Sequence, residues 1–148
     1  MTTTEAVIAA LKHRTDTLGT FPTSSEQALQ DAIWRALGGS VQFVQREQTI
    51  ELADSRTAHR HTRPDFSVAD KQGAAFMEVK LRDHKAGIRQ LRAYMKSPTR
   101  IGDRQATEAI LFMAFSSSAP RSGTIPSPHT GTGEAPLTII DPFSLAIT

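Results

Sequence analysis

The stretch RPDFSVADKQGAAFMEVKLRDHKAGIRQLRAY, residues 63–94, decides the fold predicted for this chain. It begins with two runs typical of β-strands, 65–68 and 74–81, joined by Asp70-Lys71-Gln72-Gly73. Asp at the first and Gly at the fourth turn position favour a type I turn. A hairpin centred on this turn pairs residues whose numbers sum to 143, and it places Asp65 directly opposite Glu78.

This register puts two carboxylates and an ammonium on one face of the hairpin. Directly opposed side chains lie about 5 Å apart at Cβ, where like charges destabilise the pair. Lys80 projects from the face of Glu78, whereas Met77, Val79 and Leu81 take the other face and are apolar enough to pack under a helix. Lys80 partly neutralises the carboxylates, and Mg²⁺ or Mn²⁺ would do so better, because these ions prefer hard oxygen ligands. The alternative is an exposed, salt-bridged hairpin, and a slip of one residue would break the pairing.

The elements around the hairpin indicate an α/β fold with a central mixed sheet flanked by helices. Helices are predicted over 4–18, 23–37 and 86–96, and Thr23 with Glu26 resembles a capping box at the start of the second helix. Residues 41–45 and the apolar run 109–115 are predicted strands, and 48–52 extends or pairs with the first. Residues 53–63 read as a loop.

The length of 148 residues predicts one domain spanning 1–148. Its motif-bearing core is 23–115, followed by a Ser-, Gly- and Pro-rich loop over 116–136 and a C-terminal strand segment, 137–148.

Composition excludes several classes of protein. The chain has no cysteine, so disulfides, zinc ribbons, iron–sulfur clusters and thiol catalysis are ruled out. No stretch approaches the ~18 apolar residues of a membrane span, and the N-terminus does not resemble a signal peptide. We therefore expect a cytoplasmic location and no membrane partner.

Four short motifs occur in an order that resembles the PD-(D/E)XK nuclease superfamily. Arg63-Pro64-Asp65-Phe66 is followed by Glu78-Val79-Lys80, with twelve residues between Asp65 and Glu78. Gln90 and Tyr94, four residues apart on one helix face, match the Q-x-x-x-Y element of RecB-type nucleases and of the nuclease domain of type I restriction motor subunits. Glu26 matches the acidic residue on the helix before the sheet. The resemblance covers residues 23–115 and implies a restriction-endonuclease-like three-layer sandwich.

The resemblance also implies roles. Asp65, Glu78 and the Val79 carbonyl would bind Mg²⁺ or Mn²⁺, and Lys80 would orient or activate the attacking water. Gln90 and Tyr94 would hold the helix and the DNA backbone in register. Glu26 would reach the metal, although a capping role with Thr23 explains it equally well. Asp31 and Glu47 are further candidate acids.

Basic residues suggest a nucleic-acid surface. Arginine outnumbers lysine 12 to 5, and arginine suits bidentate phosphate recognition. Charge concentrates between residues 80 and 104, where a solvated helix face is the alternative interpretation. The candidate DNA-binding residues are Arg63, Arg82, Lys85, Arg89, Arg92 and Lys96.

The leading hypothesis is a Mg²⁺-dependent deoxyribonuclease, expected to be an endonuclease that acts as a standalone module or subunit in defence, repair or a mobile element. The chain contains no phosphate-cradling glycine loop, so it differs from its motor-bearing relatives. A homodimer or a larger protein partner is expected to supply targeting. The alternatives are a catalytically weak DNA-binding or assembly module with this fold, and a toxin-like nuclease that cuts RNA.

Overall fold

The computed structural model of the protein describes residues 2–41, 43–47, 50–51, 61–96, 100–101, 103–115 and 122–146. The helices in these ranges are α1 (Thr3–Leu18), α2 (Glu26–Gly38), α3 (His84–Met95) and α4 (Pro142–Ala146). The strands are β1 (Phe43–Arg46), β2 (Ile50–Glu51), β3 (His61–Thr62), β4 (Phe66–Ala69), β5 (Ala74–Lys80), β6 (Arg100–Ile101), β7 (Arg104–Gln105), β8 (Glu108–Met113), β9 (Gly123–Pro126) and β10 (Glu134–Ile140). No helix within these ranges is long and apolar enough to cross a membrane.

Six strands form one mixed sheet in the order β1-β4-β5-β8-β10-β9. The strand pairs β1/β4, β4/β5 and β9/β10 are antiparallel, whereas the central pairs β5/β8 and β8/β10 are parallel. The parallel pair β5/β8 requires a crossover, and α3 supplies it. The predicted α/β class with a central mixed sheet is therefore confirmed.

The central hairpin has the register predicted from its turn. Phe66 pairs with Met77 and Val68 with Ala75, as the sum of 143 requires. The Asp70 side chain closes the turn, because its Oδ1 accepts hydrogen bonds from the Gln72 and Gly73 amides at 2.8 and 3.1 Å. This Asx turn therefore also fixes which residues face each other at the far end of the hairpin, where Asp65 and Glu78 lie.

Alternation along the hairpin creates two buried faces. Phe66, Val68, Met77 and Val79 belong to one apolar cluster that includes buried residues of α1 and α2. Ala74 and Phe76 belong to a second cluster, which includes the Leu91 and Tyr94 side chains of α3. Helices thus cover both faces, and Glu78 and Lys80 fall on the α3 side by the two-residue period of the strand.

The start of α2 differs from the prediction. Its N-cap is Ser25, whose side chain accepts a hydrogen bond from the Ala28 amide at 3.0 Å. Glu26 is therefore the first helical residue, and the expected capping box with Thr23 is wrong. Serine caps helices as well as threonine does, so the composition of this segment did not distinguish the two positions.

The C-terminal region also needs correction. The predicted loop 116–136 contains β9 and the beginning of β10, although 116–121 lie outside the described residues. Ile125 is buried at the edge of the sheet, but the Ser, Thr, Gly and Pro around it hide the strand pattern. The predicted strand segment 137–148 ends at Ile140, and α4 follows, with the Asp141 carboxylate accepting from the Ser144 amide at 2.8 Å.

The described part of the second predicted strand, Ile50–Glu51, does not pair with β1. Ile50–Glu51 pair instead with His61–Thr62, which fall within the segment expected to be a loop. The remainder of that segment, 53–60, lies outside the described residues.

Candidate active site

The two carboxylates predicted to meet do meet, at the end of the hairpin opposite its turn. Glu78 lies near the end of β5 and is only 2% exposed, whereas Asp65 immediately precedes β4 and is half-buried. The Asp65 amide donates a hydrogen bond to Glu78 Oε1 at 3.2 Å. The Val79 amide donates to Asp65 Oδ2 at 2.7 Å. Each carboxylate is therefore held by the main chain of the other strand.

Tyr94 connects the carboxylate pair to α3. Its hydroxyl donates a buried hydrogen bond of 2.5 Å to Glu78 Oε1. The tyrosine ring packs edge-on against Phe76, with the ring centroids 5.6 Å apart. This places the predicted face of α3 against the carboxylates, although the bond from Tyr94 to Glu78 itself was not predicted from the sequence.

Gly87 allows α3 to lie this close to the sheet. A Cβ atom at this position would be 2.5 Å from Leu111 Cδ1 and 3.3 Å from Lys80 Cγ. Since Leu111 is fully buried, its side chain has little room to move. Any side chain at residue 87 would therefore push the helix away from the sheet.

Gln90 lies on α3 between Gly87 and Tyr94. Its Oε1 atom is buried and has no hydrogen-bond partner among the residues that the structure describes. A buried acceptor without a partner is costly, so a donor or a cation at this position would stabilise it. Gln90 is on the same helix as Tyr94, whose hydroxyl contacts Glu78.

Burial makes Glu78 hard to ionise. Desolvation is the main cause that raises its pKa to about 8, and the neighbouring Asp65 charge adds to it. The hydrogen bond from Tyr94 acts in the opposite direction, because it stabilises the ionised carboxylate. Near neutral pH this carboxyl therefore retains a proton unless a positive charge compensates its ionisation.

The donor set fits Mg²⁺. Asp65 and Glu78 supply carboxylate oxygens, and the Val79 carbonyl belongs to the residue whose amide already contacts Asp65. Within the described ranges, no three His, Cys, Asp or Glu side chains converge as a metal site, so Glu26 does not complete a cage with the pair. Mg²⁺ commonly uses one or two protein carboxylates and keeps several waters, so two carboxylates suffice for it.

Lys80 closes β5 two residues after Glu78. It is half-buried, and its carbonyl accepts a hydrogen bond from the Ala114 amide at 3.0 Å, which ties this end of β5 to β8. The alternation of the strand places its side chain on the face of Glu78, as predicted.

The candidate acids outside the hairpin lie in different places. Asp31 is paired with Arg46 at 2.7 Å, so its charge is already neutralised. Glu26 opens α2, the helix that packs on the other face of the sheet. Glu47 continues the β1/β4 register to the position opposite Asp65, and its amide donates to the Asp65 carbonyl at 3.2 Å.

The backbone at Glu47 has an uncommon conformation. Its φ of 54° lies in the left-handed region, and it is the only residue other than glycine with positive φ among those described. Such a conformation costs of order 1 kcal/mol or more and often marks a functional position. Its side chain is exposed, and its main chain is paired with that of Asp65. No residue pattern in the sequence predicts this backbone conformation.

Several exposed cations lie along α3 and the segments next to the hairpin. All six predicted DNA-binding residues are exposed, and the Arg82 guanidinium lies 4.4 Å from the Phe115 ring centroid. A cavity of about 230 Å³ lies on α3, lined by His84, Lys85, Ile88, Arg89 and Arg92. His84 was not among the predicted site residues, and its place at the start of α3 brings it into this basic cluster.

No family model matches the chain, and no significant similarity was found to a curated protein or to a solved structure. The interpretation of the site therefore depends on its own geometry and on the resemblance of its motifs.

Proposed function

We propose that this protein is a metal-dependent nuclease of the PD-(D/E)XK type, with a restriction-endonuclease-like fold, that hydrolyses phosphodiester bonds in DNA. The observation that carries the proposal is the pair of hydrogen bonds that joins Asp65 to the strand of the buried Glu78, two residues before Lys80. This contact across two strands supports the proposal, because the motif uses an acidic residue from each of two neighbouring strands. A cation bound by the pair would favour the ionised form of Glu78, whose pKa is raised to about 8 chiefly by burial.

The side chains of the site have complementary tasks under this proposal. Bound Mg²⁺ or Mn²⁺ would polarise the scissile phosphate and supply a nucleophilic hydroxide near neutral pH. Asp65 and Glu78 would hold the cation, and Tyr94 would keep the Glu78 carboxylate oriented and favour its charged form. Lys80 would orient the attacking water and stabilise the negative charge that develops on the phosphate.

The basic surface explains how the nucleic acid would be held. Arg89 and Arg92 line the cavity on α3, and Arg82 follows Lys80 on the same chain segment. Guanidinium groups bind phosphate oxygens in pairs, which fixes the register of a duplex without reading its sequence. A second copy of the chain or a larger protein partner would then direct the cut.

Cleavage of supercoiled plasmid and end-labelled linear DNA tests the proposal. We expect cutting with Mg²⁺ or Mn²⁺, none with EDTA, and nicking of the closed circle if the protein is an endonuclease. Asp65→Asn and Lys80→Met should each lower the rate by roughly a hundredfold or more, since each removes part of the charge stabilisation in the transition state. Lys71→Met is the matched control, because Lys71 is an exposed lysine in the turn at the opposite end of the same hairpin.

A DNA-binding or assembly module with little catalysis is the second candidate. It is favoured by the fact that no third acidic side chain joins the pair within the described ranges. In that case a folded wild type would bind DNA without metal, Asp65→Asn would bind as well as wild type, and no condition would produce cutting. This result would contradict the nuclease proposal.

A further inference from the structure

A second cavity lies between α1 and α2, the helix pair on the face of the sheet away from Glu78. Its volume is about 370 Å³. Both helices contribute residues at i, i+3, i+4 spacing, so one continuous face of each helix forms a wall. The cavity is within the 300–1,000 Å³ range that is usual for small-molecule sites.

Small side chains leave this space open. Ala10, Ala32 and Ala36 line the cavity, and the first two are also part of the apolar core beneath it. Leu18, at the end of α1, also lines it and is 74% exposed. The cleft therefore presents an apolar floor and an apolar rim.

The two charged side chains that line the cleft, Arg14 and Arg35, are both positive. His13, Arg14 and Arg35 line it, and no acidic residue does. Asp31, one turn before Arg35 on α2, forms its ion pair with Arg46 at 2.7 Å, and the charge of Arg35 has a smaller influence on it.

Contacts within the protein fix the position of the Arg14 guanidinium. Its Nη1 atom donates to the carbonyls of Gly19 and Thr20 at 2.6 and 3.0 Å, and its guanidinium lies 4.4 Å from the Phe21 ring centroid. These contacts use one of the three guanidinium nitrogens, and Nε and Nη2 have no hydrogen-bond partner among the described residues. A fixed guanidinium with free donors binds an anion with little loss of entropy.

We propose that this cleft binds a small organic anion with an apolar body, such as a medium-chain or aromatic carboxylate. The apolar body lies on the alanine floor, and the anionic group meets Arg14 and Arg35. Because the cleft and the carboxylate pair lie on opposite faces of the sheet, this site is independent of the proposed nuclease activity.

Titration with 1-anilinonaphthalene-8-sulfonate, an aromatic anion that fluoresces in apolar sites, tests the proposal. The one tryptophan of the chain, Trp34, lies on α2 and stacks on Phe66, so energy transfer from it reports that the dye is bound to the protein, and the variants below locate the site. We expect a single saturable site from which octanoate displaces the dye. Octanol has the same chain without the charge and should displace it far less.

Two variants and a control locate the site. Ala36→Phe fills the cleft and should abolish saturable binding, and Arg35→Glu should weaken it by about tenfold or more, because it opposes the anion with a like charge. Lys71→Glu makes the same change of charge in the remote hairpin turn and should leave the affinity unchanged. Circular dichroism confirms that each variant is folded, since the dye also binds partly unfolded protein.

Three results would overturn the proposal: no saturable binding to folded wild type, equal displacement by octanol and octanoate, or unchanged binding to folded Ala36→Phe. If Ala36→Phe does not fold, amide chemical shifts of wild type titrated with octanoate decide the question. Shifts must then concentrate at Ala10, Thr17, Ala36 and Gly39, and a different pattern rejects the site.

Discussion

The two faces of the central hairpin differ in chemistry although the same strands form both. Towards α1 and α2, Met77 and Val79 are fully buried among apolar side chains, with Phe112 of the neighbouring strand. Towards α3, β5 begins with Ala74 and Phe76 but ends with Glu78 and Lys80. One face therefore stabilises the fold along its whole length, whereas the other gives up apolar burial at one end to hold charged groups.

The strongest test of this difference removes packing from the apolar face. Phe112 is fully buried there and meets the Phe21 ring edge-on at a centroid distance of 5.4 Å. Phe112→Ala should lower the free energy of unfolding by about 3–5 kcal/mol, because the loss of transfer energy and the cavity both contribute. Urea denaturation measures the change. Phe143→Ala, at a position 75% exposed, is the matched control and should change stability by less than about 0.5 kcal/mol.

Replacement of Glu78 on the polar face should become less destabilising as the pH rises, unlike the replacement of Phe112. In the folded protein its pKa is raised to about 8 from the usual 4.5, chiefly by burial, so between these values the folded state binds more protons than the unfolded state. The contribution of this group to stability is full below pH 4.5 and is lost as the pH rises to about 8. Glu78→Gln removes the titration and keeps an oxygen to accept from Tyr94.

The stability of Glu78→Gln relative to wild type should therefore rise with pH. The slope should be at most about 1.4 kcal/mol per pH unit, the value for one proton. Urea denaturation at several pH values between 5 and 8 measures the difference, and comparison within the pair cancels the other titrating groups. A difference that does not depend on pH would show that Glu78 ionises normally. The variant should also lose DNA cleavage, which separates the functional role of the side chain from its effect on stability.

The sequence was sufficient to predict the part of the site that local rules control. Turn chemistry at Asp70 and Gly73 fixed the hairpin register, and the register alone determines that Asp65 opposes Glu78. Helical spacing placed Gln90 and Tyr94 on one face of α3. These features depend on residues close together in the chain.

Features that depend on distant packing could not be predicted. The bond between Tyr94 and Glu78 requires the tilt and distance of α3 over the sheet, which Gly87 and Leu111 set jointly. The strand β9 forms because β10 offers it an edge, not because of its own composition. The left-handed backbone of Glu47 arises where β1 ends beside Asp65, which no local pattern records.

The approach of α3 to the sheet provides a smaller test of the polar face. Gly87→Ala should destabilise the protein by about 1–3 kcal/mol, because the new methyl group overlaps the buried Leu111 side chain. The displaced helix should also weaken the bond between Tyr94 and Glu78. Ala86→Gly is a useful comparison, since it changes helix propensity at the neighbouring, half-buried position without adding volume. If Gly87→Ala is as stable as wild type, the close contact of α3 is not needed for folding.

The smallest expected effect concerns which acid joins Asp65 and Glu78 when a metal binds. Glu47 lies opposite Asp65 in the β1/β4 register and its amide donates to the Asp65 carbonyl, so its main chain is already beside one of the two carboxylate residues. Glu26 opens a helix packed on the other face, and its approach would need the helix to shift.

We therefore expect Glu47→Gln to weaken Mn²⁺ binding by about tenfold, the equivalent of about 1.4 kcal/mol, and Glu26→Gln to leave it nearly unchanged. Calorimetric titration of Mn²⁺ measures both variants without depending on cleavage. The reverse ranking would favour the helix acid that the motif comparison selects and would show that the strained backbone at Glu47 serves another purpose.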